Sequence, residues 1–435
     1  MILGVDKAQH LLGRTGFGVL PGELAVYAAM DVEVAVDQLI GGVRQQPFVT
    51  PPAILLQYDN RVQARGEMGR QDRRDDYRER KGALKEWWCE ELLKTPTPLT
   101  ERMTLFWHNH FTSSLEKCRF PELMFRQNAL FRRHGMGDFR QLLHGVIQDP
   151  AMMIYLDVLN SEQGNPNENF SRELLELFTL GEGHYTEQDV REAARAFTGW
   201  VPDYQDRQMV LDPSLHDNGV KQFLGHQGNF DGGDIAEIIL SHPRTAVHIV
   251  EKLWREFVSP DPDPLATQLI AEQFRQESYN IATVVRSLLL SAQFYLPENR
   301  GVLVKSPVDL LVGTARSFQF EIEPNILGRN LKRIGQDLFE PPSVAGWPTG
   351  TAWISSRSLT VRYGLLNQTF RMIQMLPTMG DVAYWGAADG DDREAPGEEI
   401  RAVLLPLDPV YPVPAAGDIQ AVLEHALLDP VYQLK

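Results

Sequence analysis

Apolar residues recur at three- and four-residue spacing along most of this chain, the pattern of helices that turn one face to a core. Residues 23–39, 84–93, 123–131 and 139–147 carry it, and it returns at 234–240, 246–257, 265–276, 281–290 and 308–318. Thr97-Pro98 places an N-cap residue before a proline at the first helical position and so predicts a helix through PLTERMTLFWHNHF. The run PNENFSRELLELFTLG ends at Gly181, a helix stop, and Thr186 with Asp189 forms a capping box that starts VREAARAFTGW. The period changes only around 207–225, where RQMVLD, an Asn218-Gly219 turn and VKQFLG predict a short hairpin within 203–226. The expected fold is mostly α, a large multi-helix domain with a small β-hairpin insertion.

Residues 1–375 are expected to form that one helical domain, with 376–400 an acidic Gly/Pro-containing linker or loop and 401–435 a C-terminal segment with a closing helix. Within the domain, residues 59–81 hold eight basic and six acidic side chains and almost nothing apolar, and predict a solvated helix or mobile insertion.

Charge removes several function classes. Against 42 Lys and Arg stand 58 Asp and Glu, a formal net charge of −16, which argues against nucleic acid or an anionic membrane as the main partner. Cys89 and Cys118, the two cysteines, are too few for a disulfide framework or a Cys-rich zinc module, and predict two separate buried thiols. No apolar run is long enough for a transmembrane helix. MILGVDKAQHLLGRTGFG has neither a basic region followed by a long apolar stretch nor a twin-Arg pair, so the chain as given reads as cytoplasmic.

The chemistry concentrates in a few places. His108 and His110 could serve as metal ligands, but residues two apart point about 200° apart on a helix. A shared metal site therefore requires the helix to end near Trp107. His110 sits on the apolar stripe Leu99, Met103, Phe106, where a hydrogen-bonded core histidine is the competing reading. In PNENFSRELLELF, Phe170, Leu174, Leu177 and Phe178 form the core stripe, while Asn169, Glu173 and Glu176 share another face. Neighbouring carboxylates there can hold a divalent cation or raise one another's pKa for acid–base work. The structural alternative has Asn169 capping the helix and the two acids pairing with Arg172 and Arg195. His216-Asp217 with Lys221 could bind an anion or move a proton, or Asp217 could simply begin the turn with an Asx hydrogen bond. Trp347 and Trp353, in PPSVAGWPTGTAWISS, could stack on sugar rings or anchor their own loop.

No phosphate-binding G-x-x-x-x-G-K-[ST], no G-x-G-x-x-G after a strand, no H-E-x-x-H, no G-x-S-x-G and no C-x-x-C occurs. The common NTPase, dinucleotide, zinc-protease and serine-hydrolase readings are disfavoured accordingly.

Several blocks together resemble the bacterial domain-of-unknown-function 1800 family: HLLGRTGFG, FWHNHFTSSLEK, DPAMMIYLD, PNENFSRELLELFTLGEGHYTEQDVREAARAFTGW, HDNGVKQFLG, KLWREFV, VKSPVDLLVG, PPSVAGWPTGTAWI and the terminal LLDPVYQLK. The resemblance implies a mostly helical fold and carries no established activity. It also implies a neighbour: genes of the family commonly stand beside those of a second uncharacterised family, number 1501, which resembles alkaline phosphatases and sulfatases. Many members carry export signals, and this chain departs from them because HLLGRTGFG begins at residue 10.

Two functional expectations follow. One is a hydrolase or group-transfer enzyme, with or without a divalent metal. Its catalytic candidates are Glu168, Arg172, Glu173, His216, Asp217 and Lys221, a Glu acting as general acid/base and Arg172 or Lys221 holding an anionic group. Its metal candidates are His108, His110, Glu173 and Glu176, and its substrate-binding candidates are Asn167, Asn169, Trp347 and Trp353. The other is a non-catalytic helical partner or chaperone of the sulfatase/phosphatase-like neighbour. The enzyme reading expects the Asn169–Glu176 face and His110 to line one pocket, with His216-Asp217 at its mouth.

Overall fold

The computed structural model describes residues 1–56, 69–203, 208–374, 396–412, 414 and 419–435. The chain is mostly helical, and among the described residues its sheet structure is two small two-stranded antiparallel ribbons.

Local chemistry sets most helix ends. The Thr186–Asp189 capping box is made in both directions, and further boxes open the helices Gly232–Ser241, Pro307–Ser317 and Ser356–Ile373. The periodic stretch 23–39 is two helices, Pro21–Ala28 and Val32–Gly41, because Asp31 caps the second through the Glu33 amide at 3.0 Å. The stretch read as a charged insertion lies outside the described residues up to 68. From Arg70 it is the first half of the long helix Arg70–Lys94. That helix is not simply solvated there, since Arg80 is buried and pairs with Asp76 and Glu122 at 3.0 Å each. Most of the 376–400 linker also lies outside the described residues, and its last part opens the helix Pro396–Leu404.

The 203–226 hairpin needs correction. Trp200–Asp203 pairs with Gln208–Leu211, and Lys221–Phe223 pairs with His226–Gly228. The tight turn of the second ribbon is Leu224-Gly225, with φ of 45° and 80°, the left-handed pair that a two-residue hairpin turn requires. Asn218-Gly219 instead belongs to an Asx turn, in which the Gly219 amide donates to Asp217 Oδ1 at 2.8 Å.

Packing joins distant parts of the sequence. Arg132 makes a two-bond fork to Glu101, both side chains fully buried, and Glu101 also accepts from Trp88 Nε1 at 2.9 Å. An uncompensated charge at either position would be costly, so the pair locks Pro98–His110 against Pro121–His134. Cys89 and Cys118 are both free and buried, and burial pushes the Cys89 thiol up to about 12.

Candidate functional site

The helix that begins at Asn169 is regular only through Glu173. From Leu174 to Thr179 it winds as a π-helix, and the amides of Leu180 and Gly181 both reach back to the carbonyl of Leu175. Such a local change of winding loosens the carbonyl ladder and is frequent at functional sites. Here side chains take the loosened acceptors. Thr179 Oγ1 donates to Leu174 O, His248 Nε2 meets Leu177 O at 3.0 Å, His110 Nε2 meets Phe178 O at 3.0 Å, and Arg244 Nε donates to Leu180 O. A carbonyl partner makes each imidazole Nε2 a donor, and Nδ1 of His110 is then a buried acceptor without a partner. Burial above all holds both rings neutral, His248 down to about 4 and His110 well below its ordinary value, with Lys252 adding to each.

The opposite face of the same helix meets a loop and a second helix. Asn167 Oδ1 accepts the Asn169 amide at 3.0 Å, so Asn167 rather than Asn169 supplies the capping acceptor. Asn169 Nδ2 donates to Asp157 at 3.3 Å, and Asp157 also takes Lys117 Nζ at 2.6 Å. Asp157 has φ of 60°, a left-handed backbone that a non-glycine residue adopts at a cost of roughly 1–3 kcal/mol. Arg172 forks onto Glu187 at 2.6 and 2.8 Å and reaches Glu168 at 3.2 Å. Glu176 accepts from the Tyr185 hydroxyl at 2.7 Å.

Glu173 differs from these neighbours. It is half-buried, and among the described residues its carboxylate has no hydrogen bond and no ion pair. Burial first, and then the charge of Glu176, push its pKa above the ordinary glutamate range, while Arg172 pulls the other way. The Tyr155 hydroxyl is raised chiefly by burial and next by the Glu173 charge, and Lys117 Nζ lies 6.0 Å from the Tyr155 ring. Sequence reading missed Tyr155, Asp157, Lys117, Tyr185 and His248. The signal for the first three was the polar ends of FTSSLEK and DPAMMIYLD, blocks that are otherwise core-forming.

The remaining candidates have other partners. His216 is buried with Nδ1 on the Thr198 carbonyl at 2.9 Å. Asp217 forks onto Arg195 at 2.7 and 3.1 Å, and that guanidinium holds its carboxyl below the usual range. Lys221 donates to the carbonyls of Asp217 and Gly219, and burial lowers its pKa. These three clamp the loop and the second ribbon to the helix Glu187–Ala196, and among the described residues no hydrogen bond or ion pair joins them to Glu173 or His110. The expected common pocket is therefore two polar clusters and a separately anchored His110.

The metal set does not fit. The helix Pro98–His110 runs unbroken through both histidines, so they diverge as helix geometry requires. His108 lies among the rings of Trp88, Phe131, Phe339 and Trp347 with neither nitrogen bonded, and burial lowers its pKa to about 3. His110 has turned to the Phe178 carbonyl. Among the described residues no three His, Cys, Asp or Glu side chains gather as metal ligands. Trp347 and Trp353 are 3% and 6% exposed, so neither offers a face for a sugar. Trp347 anchors its loop instead, its amide donating to Asn109 Oδ1 at 2.7 Å.

The family model described as Protein of unknown function (DUF1800) matches residues 10–431. The chain belongs to this family. No curated protein and no solved structure matches it. In this DUF1800 chain the Glu173 cluster draws on three of the blocks that carried the resemblance: FTSSLEK supplies Lys117, DPAMMIYLD supplies Tyr155 and Asp157, and PNENFSRE supplies Asn169 and Glu173. No helix among the described residues is long and apolar enough to cross a membrane.

Proposed function

We propose that this protein is a hydrolase or group-transfer enzyme acting on an anionic substrate, with Glu173 as general acid/base. The observation that carries the reading is the Glu173 carboxyl itself. It is half-buried, raised in pKa and without a bonded partner, while the acids around it are engaged. A proton donor or acceptor needs that combination, because a carboxylate already tied to an arginine gives up neither its charge nor its geometry easily. Lys117, 43% exposed, and Arg172 are the nearby cations that an anionic group would draw from their present partners, Asp157 for the lysine and Glu187 and Glu168 for the arginine. The test is turnover of phosphate, sulfate and carboxylic esters by the full chain and by Glu173→Gln. Turnover of one class, reduced about 100-fold or more by the substitution, is expected for lost acid–base catalysis. Equal turnover by both proteins removes Glu173 from the chemistry.

A second reading, a helical partner of a sulfatase/phosphatase-like protein, has one observation in its favour. Leu265 and Leu269, one turn apart on the helix Pro264–Gln276, are 72% and 65% exposed. Co-elution of the two proteins at micromolar concentration, abolished by Leu265→Glu with Leu269→Glu, supports it; separate elution counts against it.

A further inference from the structure

A cavity lies where the first helix, the helix Pro307–Ser317 and the C-terminal segment meet, remote in sequence from Glu173 and built by other blocks of the family pattern. HLLGRTGFG contributes His10 beside Gln9, VKSPVDLLVG contributes Lys305 and Asp309, and LLDPVYQLK contributes Tyr432 and Lys435. The close approach that forms one wall depends on glycine. Gly18 has φ of 74°, and a Cβ there would stand 2.4 Å from the Gly313 carbonyl oxygen.

The surroundings are strongly cationic in a chain whose net charge is −16. Among the described residues, Arg14, Arg102, Lys305, Arg362 and Lys435 interact electrostatically here with two acids, Glu256 and Asp309. The acids are already committed. Asp309 takes Arg102 and Lys435, and Glu256 takes Arg102 at 2.8 Å. Arg14 and Arg362 bond to carbonyl and amide oxygens instead, Arg14 to Phe257, Val258 and Asn299, Arg362 to Lys305 and Gln433.

That leaves Lys305 facing the cavity without an ion pair among the described residues; burial pulls its amine down to about 7, with the Asp309 charge pulling the other way. Its Nζ lies 3.9 Å over the Tyr432 ring and donates to no oxygen among the described residues. The side chain of Gln9, nine-tenths buried, makes no hydrogen bond either, and its Oε1 is sealed from solvent. His10 gives Nε2 to the Phe294 carbonyl at 2.8 Å, which leaves Nδ1 a bare acceptor for a water or a ligand hydroxyl. Unmet polar groups beside a cavity cost free energy that a bound polar molecule returns.

Size and lining narrow the ligand. The cavity volume is about 30 Å³. That is room for two or three water-sized atoms at roughly 10–15 Å³ each, the size of a carboxylate group rather than a phosphate. Val403, Leu404 and Pro406 give the same cavity an apolar wall. We propose that this cavity binds formate, the monocarboxylate of three heavy atoms, one oxygen on Lys305 Nζ and the other taking the Gln9 Nε2 donor, with its C–H toward Val403 and Leu404.

The probe is sodium formate, titrated calorimetrically into the full chain, with sodium propionate, sodium phosphate and sodium chloride at matched ionic strength for comparison. Saturable one-to-one binding of formate is expected, weakened at least tenfold in Lys305→Met. Gln9→Leu, which leaves every charge in place, is expected to weaken it as well and keeps the test open if Lys305→Met does not fold. No saturable carboxylate binding up to tens of millimolar overturns the proposal. So does binding left unchanged by the substitution that folds, or binding of phosphate or propionate in preference to formate.

Discussion

The imidazole of His110 donates from Nε2 to the carbonyl of Phe178 at 3.0 Å, closing a turn that π-winding had opened. His248 does the same for Leu177, so two helices hold one irregular turn by its main chain. The geometry makes His110 an anchor, and the Glu173 face on the other side of that helix is held in place by it.

His110→Ala is accordingly expected to destabilise the protein. It leaves the Phe178 carbonyl buried without its donor, a loss of roughly 1–3 kcal/mol. Chemical denaturation checks this. An unchanged midpoint would mean that the π-turn stands without the histidine.

Acid is expected to unfold the protein through its buried imidazoles. His10 and His108 are lowered to about 3 and His248 to about 4, all mainly by burial. Between those values and 6.5 the unfolded chain binds protons that the folded one refuses, so stability falls as pH falls through this window. At pH 5 each imidazole costs about 2 kcal/mol, at 1.36 kcal/mol per pKa unit. Asp149 opposes them, since burial raises it to about 6 and it gains protons on folding between 3.8 and 6. Glu173, Glu91 and Glu23, raised by burial, act with Asp149, and His110, lowered well below its ordinary value, acts with the other imidazoles. Urea midpoints at pH 7 and pH 5 measure the difference, and an equal or higher midpoint at pH 5 contradicts it.

His108→Leu is expected to raise the melting temperature. Neither ring nitrogen has a partner inside its aromatic cage, and leucine has nearly the same bulk without the unmet polar atoms, worth roughly 1–3 kcal/mol. Part of the acid sensitivity should disappear with it. A lower melting temperature would reveal a bonded partner for His108, such as a buried water shared with Trp347 Nε1, which is also unbonded.

Much of the helical fold was legible because apolar spacing, capping residues and Gly181 are local signals, and the Thr186–Asp189 box stands as read. The π-turn was not, since shifting hydrogen bonds by one residue leaves the apolar stripe of Phe170, Leu174 and Phe178 intact. The hairpin turn was misplaced because Asn218-Gly219 has the right composition, whereas Leu224-Gly225 adopts the backbone. Of the candidate site, Glu173 and its neighbour Glu176 could be read from helix spacing, and Arg172 to Glu187 could not. The Arg102–Asp309–Lys435 network joins residues more than a hundred positions apart, and no local pattern announces such a contact.

The account stands most directly on Glu173, and the thermal melt of Glu173→Gln tests it without knowledge of the substrate. A carboxyl kept for chemistry, half-buried beside Glu176, loses no hydrogen bond on becoming an amide; it sheds its desolvation cost and the Glu176 repulsion, which outweigh the attraction of Arg172. The melting temperature is predicted to stay within about a degree of the wild type or to rise. A fall matching roughly 1–3 kcal/mol, the cost of breaking a buried charge-assisted bond, would make Glu173 a structural residue and contradict the account.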